Sequence, residues 1–175
     1  MKYKTIVIDY PWSVNSNFNK YGYGDFPYKQ MSDDEILNFN LDDFADDNCD
    51  LFIWTTHSKL PLCFDILNKY NFKYHCLVTW DKLSGICING FYRNTELIVY
   101  GYRGKMGIKL EGNYIPTLIT EKAKGHSKKP DKFYKILRER TLSPRIDIFN
   151  RRTILGFDSF GDELPKERQL FILNE

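Results

Sequence analysis

Short runs of β-branched and aromatic residues alternate along this chain with segments of helical periodicity, and that alternation constrains the fold more than any other feature. Thr5 to Ile8 reads as a buried strand that ends at Asp9. Leu51 to Thr56, Tyr74 to Trp80, Thr95 to Tyr102 and Arg145 to Phe149 read as further strands, with shorter ones at Tyr114 to Ile119 and Phe157 to Phe160. Helices are predicted between them. Ser32 with Glu35 forms a capping-box start for a short helix to Asn38. Ser58 to Tyr70 places Leu62, Ile66, Leu67 and Tyr70 on one face, with Pro61 tolerated in the first turn. Pro130 to Arg140 offers Phe133, Tyr134, Ile136 and Leu137 to a core. The pattern predicts an α/β fold with a mostly parallel sheet flanked by helices. Ligands of such sheets bind beyond the carboxyl ends of the strands, where Asp9, Trp54, Thr55, Trp80 and Phe149 fall.

At 175 residues, this is expected to be one domain spanning 1–175, able to bury about 70% of its unfolded surface. No apolar run approaches the length of a membrane span, and no secretory leader is evident, so an intracellular, cytoplasmic protein is expected. Cys49, Cys63, Cys76 and Cys87 lie more than ten residues apart and read as reduced core residues. With no CxxC or HxxxH pattern, no metal site is expected. The net charge of +2 hides an uneven spread. Ser32 to Asp50 carries eight acids and no base, whereas Lys122 to Arg140 carries eight bases against Asp131 and Glu139. Two solvated faces account for this, and so does a basic lip for phosphates. The stretch from Ser13 to Lys29 reads as a long loop, of the kind that serves as a functional lid.

Asp9-Tyr10-Pro11-Trp12 directly follows the first strand. A carboxylate and a backbone carbonyl side by side can accept the two hydrogens of an amino group. Pro11 biases Tyr10 to an extended conformation, which fixes where the Tyr10 carbonyl points, and the Trp12 ring can stack on a base. Turn punctuation after a strand explains the same string.

The string resembles the Asp-Pro-Pro-Trp signature of the MT-A-seventy family of adenine amino-methyltransferases. Further segments resemble that family in order. They include Pro27 to Ser32, the Leu51 to Thr56 strand, Asn71-Phe72 with Trp80-Asp81-Lys82, and Phe91 to Leu97 with Arg103-Gly104-Lys105. His126-Ser127-Lys128-Lys129-Pro130 resembles its His-Ser-x-Lys-Pro box, and Ile146 to Arg151 with Gly156 to Gly161 resembles its ending.

The resemblance implies a Rossmann-like fold in permuted motif order, using S-adenosylmethionine (SAM) to methylate adenine in nucleic acid. It implies catalytic roles for Asp9, Tyr10, Pro11 and Trp12. Asp9, Ser127, Lys129, Arg151, Asp162 and Glu163 are implied at the cofactor, Lys129 on its carboxylate and the last two on its ribose. Trp12, Tyr28 and Arg93 are implied at the substrate. Each has a plainer reading: Lys129 as a solvated helix-start base, Arg151 and Arg152 as surface or phosphate charge, Asp162 and Glu163 as a helix cap. Arg93 and Glu96 also fit a structural ion pair, and Trp54 and Trp80 fit a core. Two departures stand out. Tyr10 replaces the family's first Pro, and Asp162 its usual Asn. DNA is the expected substrate, with RNA adenosine as the alternative and a non-catalytic nucleic-acid-binding subunit as a second. A homodimer or partner subunit is expected to supply further grip.

Overall fold

The computed structural model describes residues 1–13, 29–110, 114–124 and 128–161. Within them the elements run in order as β1 (Tyr3–Ile8), α1 (Asp33–Leu37), a 3-10 turn (Leu41–Asp43), β2 (Ala45–Thr55), α2 (Leu60–Lys69), β3 (Lys73–Ile88), β4 (Phe91–Arg103), β5 (Leu118–Thr120), α3 (Asp131–Arg140), β6 (Arg145–Ile148) and β7 (Asp158–Phe160). Most of the expected loop from Ser13 to Lys29 lies outside the described residues.

The strands form one seven-stranded sheet in the order β5-β3-β4-β2-β1-β6-β7. Only β4 runs against its neighbours; the pairs β1–β2, β1–β6, β3–β5 and β6–β7 are parallel. From β1 the chain first moves to β2 on one side and returns much later to β6 on the other. The carboxyl end of β1 is therefore a point where the strand order reverses, the place where open α/β sheets bind ligands.

Side-chain alternation explains the layers. Ile6, Ile8, Leu51, Ile53, Ile146 and Ile148 point to one face, where Ile36 of α1 and Cys63, Ile66 and Leu67 of α2 cover them. Val7, Phe52, Trp54, Ile98 and Tyr100 point to the other, where Phe133, Tyr134 and Leu137 of α3 cover them. Each such fully buried side chain stabilises the fold by about 1.5–3 kcal/mol relative to exposure. The α1 start carries the capping box in full: the Ser32 hydroxyl accepts from Glu35 N–H at 3.2 Å, and the Glu35 carboxylate accepts from Ser32 N–H at 2.7 Å.

The structure extends the sequence reading most in β3 and β4. Instead of ending at Trp80 and beginning at Thr95, they continue as a ribbon to a turn at Asn89-Gly90, where φ is 50° and 82°. Asn-Gly supplies the two positive φ angles that a tight hairpin turn requires. Asp81 pairs with Thr95 and Ile86 with Arg93, so Lys82 to Gly85 bulge opposite Asn94. Asp81 Oδ1 fastens the bulge by accepting from Leu83 N–H at 3.0 Å and Asn94 Nδ2 at 3.1 Å. Cys49 and Cys63 are buried as expected, but Cys87 sits exposed on this ribbon rather than in the core.

A Cβ on Gly85 would lie 2.4 Å from the Arg93 carbonyl oxygen, a backbone atom that cannot swing away. Gly85→Ala is expected to shift the bulge and speed amide hydrogen exchange at least tenfold across 82–94, leaving β1 and β2 protected. Unchanged protection in the ribbon would contradict this account.

Candidate active site

Three elements converge where β1 ends. Asp9 follows β1, and its N–H donates to the Ile148 carbonyl of β6 at 3.2 Å. Glu96 lies on β4 opposite Trp80. Lys129 immediately precedes Pro130, the residue that caps α3. The Lys129 ammonium lies 2.8 Å from Glu96 Oε2 and 3.1 Å from Asp9 Oδ2. It also sits over the Trp54 ring, 4.8 Å from the centroid. Lys82, carried by the bulge, reaches Glu96 Oε1 at 3.4 Å. Side-chain exposures of 25% for Asp9 and 13% for Lys129 leave the cluster under the surface yet reachable.

The charges are unequally held. Burial raises the Asp9 carboxyl above its ordinary value; Lys129 opposes this, Glu96 adds to it, and the Arg151 charge opposes it further. Burial alone would also raise Glu96, but the ammonium groups of Lys129 and Lys82 outweigh it and hold that carboxyl below its ordinary value. Burial alone would lower Lys129, but Asp9 and Glu96 outweigh it and keep the ammonium protonated. Glu96 is thus the firmly ionised partner and Asp9 the carboxyl that takes a proton more readily.

Asp9-Tyr10-Pro11-Trp12 is a tight structure. The Tyr10 carbonyl accepts from Trp12 N–H at 2.8 Å, and the Pro11 carbonyl from Met31 N–H at 2.9 Å. The Trp12 indole N–H donates to the Trp54 carbonyl at 3.1 Å, and only 6% of Trp12 is exposed. The Tyr10 ring turns inward, 5.3 Å from Trp12, 5.9 Å from Phe39 and 5.7 Å from Phe149. Its hydroxyl is buried without a partner. Phe149, next to Asp9 across β6, has a φ of 61°, costly for a non-glycine residue and sustained by its packing against Tyr10, Phe39 and Phe160 and by its N–H bond to the Phe160 carbonyl.

The expected Arg93–Glu96 ion pair does not form: alternation along β4 puts the two side chains on opposite faces, and the bulge brings Lys82 to Glu96. Arg93 lies further out on the ribbon. Trp54 and Trp80 are core residues, 0% and 2% exposed. Arg152 clamps the α3 start, donating to the Lys129 carbonyl at 2.9 Å and to Asp131 at 2.7 Å. Tyr28, Ser127, Asp162 and Glu163 lie outside the described residues.

Sequence reasoning passed over Asp147. It pairs in register with Val7 on β1 and Ser159 on β7, on the Asp9 face of the sheet. It is 1% exposed, and neither carboxylate oxygen has a hydrogen-bond partner. Burial pushes it up to about 7; the Tyr134 hydroxyl beside it pulls the other way, and Asp9 pushes with burial.

A seven-stranded, mostly parallel sheet with Asp-Tyr-Pro-Trp at the carboxyl edge of an interior strand defines the Rossmann-like methyltransferase class. Residues 3–163 match the MT-A70 family, and the chain belongs to it. It is 23% identical to the type II methyltransferase M.MunI of Mycoplasma sp, over 95% of this chain and 80% of that protein. It is 25% identical to the N(6)-adenosine-methyltransferase catalytic subunit METTL3 of Homo sapiens, over 86% of this chain but 26% of that protein. The METTL3 of Mus musculus matches to the same extent. Among the described residues no helix is long and apolar enough to cross a membrane, and no group of three His, Cys, Asp or Glu side chains is placed to hold a metal ion.

The Asp147 carboxyl gives a pH-dependent prediction. Its folded value of about 7 lies above the roughly 3.9 of an unfolded Asp. Between those values the folded chain holds a proton that the unfolded chain has lost. Wild-type stability therefore falls by roughly 1.4 kcal/mol per unit as pH rises through this window. Asp147→Asn removes the effect. Its unfolding free energy from denaturant titration is expected to match wild type near pH 4 and to exceed it increasingly up to pH 7, by at most about 4 kcal/mol. A constant difference across this range would contradict the assignment.

Proposed function

We propose that this chain methylates the exocyclic amino nitrogen of adenine in DNA, with SAM as the methyl donor. The observation that carries the reading is the Asp9 carboxylate, held by Lys129 just past the carboxyl edge of β1 and followed in the chain by the Tyr10 carbonyl, in a chain of a methyltransferase family. The adenine amino group follows METTL3, an N(6)-adenosine methyltransferase by name. The preference for DNA follows M.MunI, a type II methyltransferase whose length the chain spans more fully.

The site's chemistry fits the cofactor. Asp147, buried with the Tyr134 hydroxyl as its polar neighbour and no ion-pair partner among the described residues, suits a cationic group such as the ammonium of SAM. Lys129 uses two of three N–H groups on Asp9 and Glu96, leaving one for the cofactor carboxylate. Arg151, whose charge acts on Asp9, borders the same end of β6. Ser127, Asp162 and Glu163 complete the proposed cofactor contacts on the strength of the motifs alone.

When bound, SAM supplies an electrophilic methyl group on a sulfonium that is its own leaving group. The protein's task is then to position and polarise. An adenine amine is a poor nucleophile because its lone pair is delocalised into the ring. Asp9 accepts one amino hydrogen and the Tyr10 carbonyl the other, which draws the nitrogen toward tetrahedral geometry and frees the lone pair. The Tyr10 carbonyl keeps one lone pair for this while Trp12 N–H holds the first. Trp12 and Pro11 shape the floor, Trp12 through its bond to the Trp54 carbonyl. Attack by a neutral amine leaves a protonated product. Asp9, its carboxyl raised by burial, is suited to receive that proton. Tyr28 is proposed as a further contact of the base. A base within a duplex must first leave the stack, at a cost of a few kcal/mol.

The test is transfer of a labelled methyl group from SAM to matched DNA and RNA oligonucleotides, with product nucleosides identified by mass. Asp9→Ala is expected to keep SAM binding within about tenfold and to lose at least about 100-fold in rate, the scale of a preorganised electrostatic group. Tyr10→Phe, which leaves the carbonyl in place, is expected to turn over within about threefold of wild type. Product confined to RNA would replace the substrate and keep the mechanism. Near-normal turnover in folded Asp9→Ala would overturn it.

A further inference from the structure

The β3–β4 ribbon leaves the sheet at the edge where the active site lies. Its last neighbours are Thr55 of β2, opposite Leu97, and Thr120 of β5, beside Asp81. Beyond them Lys82 to Asn94 pair with no other strand among the described residues, and the strand from Thr95 to the turn reaches about 15 Å past the sheet. A free two-stranded ribbon is marginal by itself in water, and this one exposes 61% of Tyr92 and 73% of Phe91. Core packing does not account for either ring.

The two rings face opposite ways. Strand alternation puts Tyr92 on the face of β4 that carries Glu96, the partner of Lys129, and puts Phe91 on the reverse face with Arg93. The segments that cover this face of the sheet, around Ala123 and α3, are rich in cations. The segment after β5 is bound to the ribbon's base, Ala123 N–H donating to the Lys82 carbonyl at 3.2 Å. This segment opens the basic stretch from Lys122 to Arg140. Lys124 is engaged by Glu121 and Asp131. Lys122 and Lys128 are exposed and have no ion-pair partner among the described residues. From Lys82 to Asn94 the ribbon carries no carboxylate.

We infer that this ribbon is a docking arm for the nucleic-acid strand that carries the target adenine: Tyr92 stacks on a flanking base, and Lys122 and Lys128 hold the adjoining phosphates. The inference rests on the adenine-methylation reading for its choice of ligand. An exposed aromatic together with exposed ammonium groups on the same face is a combination that holds single strands without regard to sequence. The bulge at Lys82 to Gly85 serves both ends, bringing Lys82 onto Glu96 and setting the free ribbon on its own course.

Fluorescence anisotropy of labelled single-stranded oligonucleotides, DNA and RNA, tests this on the full chain. Tyr92→Ala is expected to weaken binding by about 5- to 150-fold, the range for one lost base stack. Phe91→Ala, on the reverse face, is expected to change it less than threefold. Lys122→Ala and Lys128→Ala are each expected to reduce the slope of log affinity against log salt by about 0.7. SAM binding should be unchanged in all four. Equal affinity in Tyr92→Ala, or no oligonucleotide binding by wild type, would overturn the inference. So would sedimentation showing that the ring variants only dissociate a dimer, since the ribbon would then join two copies. Binding is read apart from methyl transfer. A wild type that binds through Tyr92 but transfers nothing would keep the arm and remove the proposed reaction.

Discussion

The Lys129 ammonium between Asp9 and Glu96 is the contact on which the rest of the site depends. It joins β1, β4 and the start of α3, which are far apart in sequence, through one buried cation. Two carboxylates this close to one another and to the core would each resist ionisation. One ammonium between them, with a second from Lys82 on the far oxygen of Glu96, makes the cluster nearly neutral. A buried pair of this kind need not add net stability, because desolvation offsets attraction, yet losing one partner is costly. Its value here is geometric. It holds the Asp9 carboxylate at the carboxyl edge of β1, which is the preorganisation that the proposed reaction calls for.

The fold supplies that cation by unrelated means. Arg152 grips the Lys129 carbonyl and Asp131, and stacks over Tyr134 on α3. Tyr134 in turn packs beneath the sheet with Phe133 and Leu137. The reversal of strand order at β1 opens the crevice, and the lone antiparallel strand β4 brings Glu96 to it from the opposite chain direction. A parallel strand in that place would require another crossover; a hairpin delivers Glu96 at the cost of one turn.

Much of this was legible in the sequence. The strand–helix alternation gave the α/β class, and the capping box, the α2 and α3 faces and the burial of Trp54 and Trp80 followed from local pattern. Asp9 stood out because it opens Asp-Tyr-Pro-Trp, a carboxylate and a restricted carbonyl that resemble the Asp-Pro-Pro-Trp signature. Glu96 was read with Arg93 because nearness in sequence suggested a pair. Alternation along β4 turns Arg93 away from Glu96, and the bulge that brings Lys82 to it is a three-dimensional event with only Gly85 to mark it. The Asn89-Gly90 turn carried a recognisable signal, masked by the mixed polarity of the residues around it. Asp147 was hidden by alternation itself. In Ile-Asp-Ile the middle residue reads as solvent-facing, and only the presence of α3 over that face makes it buried. A strand covered on both sides hides its polar residues from any one-dimensional pattern.

Tyr10 shows how the chain departs from the Asp-Pro-Pro-Trp pattern it resembles without losing the geometry. The chemistry proposed for this position needs only a carbonyl. That carbonyl is oriented by Trp12 N–H and by the restriction Pro11 places on the residue before it. The side chain is therefore free to serve the fold, and it packs among Trp12, Phe39 and Phe149. The same packing holds Phe149 in its positive-φ conformation, from which the chain turns away beside Asp9. A proline would stiffen the position through its own backbone; the tyrosine anchors it through an aromatic cluster and accepts a buried, unpartnered hydroxyl in return. The two solutions act on the same carbonyl from different sides, one by restricting φ and the other by fixing the ring.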